Sequence, residues 1–149
     1  MNITFPSDTK EIIDKIRTVI GRNVDIHYTT SGAVCTTCDV DPITGRSFNP
    51  FCPVCSGLGY IENYLTYSGL AHVRWTNVGD SYNSPSGDID TGNCVVTMEY
   101  VETLPAIIDT SDYFLVDDIK LYYIEYDLRG VQEINRIAIK LQQSPREQR

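Results

Sequence analysis

Val24-Asp25-Ile26-His27-Tyr28-Thr29 alternates apolar and polar side chains with a period of two, the pattern of a strand buried on one face and wet on the other. The stretch before it has a different period. Ile12, Ile13, Ile16, Val19 and Ile20 recur at helical spacing within residues 8–21, with Lys10, Asp14, Lys15, Arg17 and Thr18 on the other side. Asp8 followed by Glu11 reads as a capping box that starts this helix, and Gly21 is placed to end it. The isoleucine stripe predicts packing of the helix against the rest of the domain.

Period-two segments then recur at Tyr60–Tyr67, Leu70–Thr76, Cys94–Val101, Tyr113–Val116, Ile119–Leu128 and Asn135–Leu141. In the second of these, Ala71, Val73 and Trp75 share one face while His72 and Arg74 share the other. Asp117-Asp118 lies between two strand-like runs and predicts a tight hairpin, although the usual turn glycine is missing. One leading helix followed by short strands predicts a mainly β fold, a small antiparallel β-barrel or sandwich. At 149 residues and 42% hydrophobic, the chain fits a single domain over residues 1–149. No apolar run approaches the roughly 18 residues of a membrane span. The start Met1-Asn2-Ile3-Thr4-Phe5-Pro6 lacks a signal-peptide layout, so a soluble protein that is not exported is expected.

Two stretches break the β pattern, an insertion at residues 31–59 and a long polar loop at residues 77–93, and residues 143–149 form a tail. The loop exceeds a simple hairpin turn and is a candidate contact or gating segment. The formal charge is −8, from 20 acids and 12 bases, which disfavours a broad positive face for gripping nucleic acid. The excess is concentrated in residues 77–128, with 11 acids against the single base Lys120. Its Val, Ile, Tyr and Leu content predicts an acidic surface on a folded sheet rather than a disordered acidic tail.

The insertion holds Cys35-Thr36-Thr37-Cys38 and Cys52-Pro53-Val54-Cys55, two CxxC pairs separated by 13 residues. Each pair can fold as a knuckle that points two sulfurs at one ion, so Cys35, Cys38, Cys52 and Cys55 together supply the four thiolates of a tetrahedral zinc site. Asp41-Pro42-Ile43-Thr44-Gly45 and Asn49-Pro50 supply turns between the knuckles, and Gly57 and Gly59 allow a sharp turn after the second. Four soft ligands leave no open position, so the expected Zn2+ is structural. Thiolate-bound iron is the alternative metal. Disulfides are disfavoured in a chain without an export signal.

No other constellation points to catalysis. Cys94 shares parity with Val96, Met98 and Tyr100 and reads as a buried core thiol. His27 and His72 fall on the polar faces of strands. Asp109, Asp112, Asp117, Asp118, Glu125 and Asp127 match no regular calcium or acid–base spacing and read as a solvated face. No catalytic residue is assigned, and the chain is expected not to be an enzyme.

The sequence resembles the head-closure (stopper) proteins of the tailed-bacteriophage neck. The likeness is carried by the helix-then-strand opening Ile12–Tyr28, the insertion with Cys35, Cys38, Asp41-Pro42-Ile43-Thr44-Gly45, Asn49-Pro50, Cys52, Cys55, Gly57 and Gly59, the strand opening Ser68-Gly69-Leu70-Ala71-His72, and the hairpin Asp112–Leu128. The resemblance implies a β-barrel virion protein, assembled in the host cytoplasm. It would form a homo-oligomer, a hexameric ring, between portal or adaptor proteins and tail or tail-terminator proteins. Such a ring closes the head, retains DNA and lets it pass through the lumen without specific binding. No membrane is involved. An acidic lumen repels DNA phosphates, which fits the charge distribution, with Asp88 and Asp90 as candidate lumen residues and the 77–93 loop as a candidate gate. The bases Arg136, Lys140, Arg146 and Arg149 are candidates for docking on an acidic neighbour. The competing readings are a zinc-ribbon protein-interaction module, and an adaptor or tail-terminator protein of the same neck.

Overall fold

The structure, a computed structural model, describes residues 8–75, 93–131 and 133–143. Asp88, Asp90, most of the 77–93 loop, and Arg146 and Arg149 in the tail lie outside them. In chain order the elements are α1 (Thr9–Ile20), β1 (Arg22–Val34), β2 (Tyr60–Trp75), β3 (Asn93–Glu99), α2 (Leu104–Asp109), β4 (Ser111–Val116), β5 (Ile119–Val131) and β6 (Glu133–Gln142). All strand pairs are antiparallel, in the order β1-β2-β3-β6-β5-β4, and β4 returns to β1 to close a barrel. Of the two architectures expected, the closed one forms. Closure pairs strands that would otherwise be open edges.

The alternation in Val24–Thr29 dictates the interior. Val24 and Ile26 point inward and are fully buried, while Asp25 and His27 face outward and bond across to Ser68 and Thr66 of β2. Ala71 of β2, Val96 and Met98 of β3, Phe114 and Val116 of β4, Leu121 of β5, and Ile137, Ile139 and Leu141 of β6 complete the barrel core. Leu104 and Ile108, one helical turn apart on α2, join it, fully buried. Cys94 belongs to the same core, as its parity predicts, and burial, followed by the nearby Asp117 charge, pushes its thiol up to about 12 against the opposing pull of Arg22.

Two segments expected as separate strands, Tyr60–Tyr67 and Leu70–Thr76, form the single strand β2. Ser68-Gly69 does not break it. The glycine lets the Met98 side chain lie close over the strand: a Cβ there would come 2.6 Å from the Met98 Cε, which would have to move aside. α2 is an addition that the periodicity does not reveal, because six residues are too short to display a helical repeat. The hairpin at Asp117-Asp118 forms with both residues in the left-handed region, φ 51° and 65°, as a two-residue turn between twisted strands requires. Asp117 is also held by an ion pair with Arg22. Asp118→Gly should therefore raise stability by about 0.5–1 kcal/mol. Thermal unfolding that is unchanged or lowered would show that Asp118 is not strained.

The helix differs most from expectation. Asp8 sits at the N-cap, but its side chain makes no capping bond, and Gly21 ends the helix in an extended conformation rather than a left-handed one. Of the apolar stripe only Ile13 is half-buried; the rest does not pack onto the barrel. Ile12, Ile16, Val19 and Ile20 are exposed, Val19 to 83%, whereas Arg17 is only 8% exposed. The reason lies in the strands. Their apolar side chains are spent on the barrel interior, so β2, β3 and β6 turn His72, Thr97, Glu99 and Arg136 outward. A polar face suits a guanidinium better than isoleucines, and Arg17 approaches Glu99 at 3.9 Å while bonding Asp14 at 3.0 Å.

Candidate metal centre

β1 and β2 pair from Arg22↔Ala71 out to Val34↔Tyr60. β4 accompanies β1 only over Val24–Tyr28, and β3 accompanies β2 only over Ala71–Trp75. Beyond Tyr28 the two strands therefore continue as a ribbon without a third strand. Their pairing slips between Ser31 and Val34, a local bulge. The insertion expected at 31–59 is thus ribbon as far as Val34 and irregular only over residues 35–59, which sit at the ribbon's tip.

Local hydrogen bonds fold this tip. Asp41 nucleates a turn: its carboxylate accepts from the Ile43 N–H at 2.9 Å and the Thr44 hydroxyl at 2.7 Å, which holds the carboxyl below its usual range. Val40 bridges Ser47, and Phe48 N–H donates to the Asp39 carbonyl, making a miniature hairpin between the knuckles. The first knuckle is tied to the second by the Cys35 N–H donating to the Gly59 carbonyl at 2.9 Å. In the second, Ser56 N–H bonds the Cys52 carbonyl and Leu58 N–H the Cys55 carbonyl.

The result brings all four predicted ligands together. The Sγ atoms of Cys35, Cys38, Cys52 and Cys55 lie within 4.8 Å of one another, with Cys35···Cys52 at 3.9 Å and Cys38···Cys55 at 3.5 Å. Four thiolates on one tetrahedral ion, with bonds of about 2.3 Å, stand about 3.8 Å apart. The cluster therefore fits a single metal ion. Cys35, Cys52 and Cys55 are buried and form a small core of their own with Cys38 at its margin.

The sulfurs do not ionise alike. The Thr37 backbone N–H holds Cys35 below the usual thiol range, outweighing burial. At Cys55 burial opposes the thiolate, but the Gly59 N–H, 3.4 Å from its Sγ, and the sulfurs of Cys38 and Cys52 bring it below that range. Cys38 goes the other way: Ser47 favours its thiolate, yet burial and the sulfurs of Cys55, Cys35 and Cys52 push it up to about 12. A bound cation removes this mutual opposition and lets every member ligate as a thiolate. With all positions filled by protein, such a centre organises structure and leaves no place for a reacting molecule.

Gly59 tests this geometry. Its φ is 85°, and a Cβ would lie 2.4 Å from the Gly45 carbonyl oxygen. Left-handed backbone costs a residue with a side chain roughly 1–2 kcal/mol. Folding of such a tip is coupled to metal binding, so Gly59→Ala should weaken metal affinity about tenfold in a chelator competition. Unchanged affinity would mean that the second knuckle is not held as described.

The remaining candidates are not assembled into a site. His72 is exposed, and His27 stacks on Tyr113 at 4.4 Å with its Nδ1 3.1 Å from the Thr66 hydroxyl. Neither joins the sulfur cluster, the one metal-competent group among the described residues. The acids are spread over the barrel surface with separate partners: Asp112 accepts from Thr29, Asp117 from Arg22, Glu125 pairs with Lys140, and Asp127 lies 3.7 Å from Arg129. Among the described residues no helix is long and apolar enough to cross a membrane. No protein-family model and no curated protein matches this sequence.

Proposed function

We propose that this chain is a structural, non-enzymatic protein of a tailed-phage neck, a stopper-type ring subunit whose zinc-clamped tip docks on a neighbouring protein of the assembly. The observation that supports this reading is the form of the tip. A ribbon carries the four-cysteine cluster away from the closed barrel, and three large apolar side chains around the cluster face solvent: Ile43 at 91% exposure, Phe48 at 69% and Phe51 at 89%. Exposed aromatic anchors on a rigid base are what a protein interface uses. A metal-ordered tip keeps them pre-organised, which lowers the entropy lost on docking. Zinc fits the four-thiolate set best, with iron the other metal compatible with it.

The charge supports a conduit as well. The acidic middle of the chain and the overall −8 suit a ring that surrounds DNA and does not hold it. The same exposed phenylalanines also favour the second reading, a zinc-ribbon protein-interaction module. With Arg46 the single base in residues 31–59, a protein partner suits the tip better than nucleic acid.

Phe48→Ala combined with Phe51→Ala should leave thermal stability within about 0.5 kcal/mol, since both rings are exposed, while lowering the yield of tail-bearing particles in a complementation assay. Normal particle yield would remove the tip from the docking role. Locating the tagged chain in virions by electron microscopy tests the function itself. A ring at the portal–tail junction supports it, and a free protein in host extract that never associates with particles overturns it.

A further inference from the structure

Between α1 and the outer face of β2, β3, β5 and β6 lies an open cleft of about 300 Å³. Ile13, Ile16, Arg17 and Ile20 of α1 line it on one side, and His72, Thr97, Arg129 and Arg136 of the strands line it on the other. In a chain with a charge of −8, three arginines converge on one cleft, and one of them, Arg136, has no acidic partner among the described residues.

The arginines are not mutually satisfied. Arg129 and Arg136 are directly opposed across the β5–β6 pair, and like charges in that position repel. Arg17 has Asp14 at 3.0 Å and Glu99 at 3.9 Å, and Arg129 has Asp127 at 3.7 Å. Arg136 is the register partner of Glu99 but forms no ion pair with it or with any other described residue. Its Nε atom is shielded from solvent and has no hydrogen-bond partner. A shielded donor without an acceptor carries a desolvation cost that an incoming carboxylate would cancel, and the same carboxylate would relieve the Arg129–Arg136 repulsion.

We infer that this cleft is a docking site for a segment of another protein that presents a carboxylate flanked by apolar side chains. The carboxylate meets Arg136 and Arg129, and the apolar flanks lie on Ile16 and Ile20. A protein segment suits the site better than a small acid, because the apolar surface runs on past the cleft to Ile12 and Val19, both exposed. A second copy docking about a two-fold axis through the same surface would bring the unpaired Arg136 of each copy to one interface, which charge disfavours. The net negative charge of the chain disfavours an acidic segment over most of the remaining surface, which adds selectivity to the cleft. This inference is independent of the metal centre and of the neck reading.

The test uses the full-length, metal-loaded chain. A fluorescein-labelled twelve-residue amphipathic peptide of leucine, alanine and glutamate is titrated by anisotropy, beside the same peptide with glutamine for every glutamate. The glutamate peptide should bind saturably and the glutamine peptide about tenfold or more weaker, as for loss of a charged hydrogen-bonded pair. Arg136→Gln should weaken the glutamate peptide to a similar degree with an unchanged circular dichroism spectrum, and Arg129→Gln gives a second reading if that variant folds poorly. Ile16→Ser should weaken both peptides. Several outcomes overturn the inference: no binding, equal binding of the two peptides, indifference to both arginine substitutions, or full displacement by millimolar phosphate, which would mark a simple anion site. Self-association in sedimentation that Arg136→Gln abolishes would also overturn it, by making the occupant a second copy.

Discussion

Cys52→Ser is expected to abolish the metal centre, taking the chain from one tightly bound ion to none after dialysis against a chelator. Cys52 is buried, its Sγ lies 3.9 Å from that of Cys35, and its carbonyl accepts the Ser56 N–H that shapes the second knuckle. Small zinc peptides draw roughly 10–16 kcal/mol from the ion, and without it they are unfolded. Residues 35–59 have the same dependence, because apart from the cysteines no large apolar side chain there is fully buried: Ile43, Phe48, Phe51 and Val54 are exposed, and Val40 and Leu58 are half-buried. The barrel does not share it: Val24–Tyr28 stays paired with β4 and Ala71–Trp75 with β3 whatever happens at the ribbon tip. Amide signals from residues 35–59 should collapse into the disordered region while the barrel signals persist. A variant that kept one ion per chain would disprove the four-thiolate assignment, and loss of the whole barrel would disprove its independence from the tip.

Phe114→Ala should cost about 3–5 kcal/mol in unfolding free energy. Phe114 is fully buried on β4, the six-residue strand that closes the barrel, opposite Ile26 of β1 and Leu121 of β5. Removing its ring leaves a cavity lined by side chains from three strands, and a closed barrel cannot collapse around a void without breaking a strand pair. Against a typical total of about 5–15 kcal/mol, that loss brings the chain near the edge of folding. Phe51, at 89% exposure, provides the contrast: its truncation alone should be nearly neutral for stability. Denaturant unfolding of the two variants side by side reads this directly, and a Phe114→Ala midpoint as mild as that of Phe51→Ala would contradict the closed core.

The strand interior was legible because period-two alternation carries both the element and its inward face: Val24, Ile26, Ala71, Val96 and Met98 all lie where parity puts them. The four-cysteine cluster that could hold a metal was legible because two CxxC spacings are local geometry, which needs no knowledge of the fold. What the helix packs against was not. Periodicity shows that α1 has an apolar face, but whether that face meets the barrel depends on what the barrel turns outward, and here that is Thr97, Glu99 and Arg136. The arginine cleft was hidden for a related reason. Arg136 stood out as a base for docking on an acidic neighbour, but its opposition to Arg129 follows from the β5–β6 register, which slips at Arg129/Gly130. Arg136 and Lys140 belong to β6, and Lys140 is engaged by Glu125.

The claim on which the docking tip rests is that one zinc ion is held by four cysteine sulfurs. X-ray absorption at the zinc edge of the purified full-length chain measures this most directly. The predicted spectrum shows one zinc per chain with four sulfur neighbours at about 2.3 Å. Nitrogen or oxygen neighbours at about 2.0–2.1 Å in the first shell, or a protein that carries iron at this site with no zinc, would contradict it.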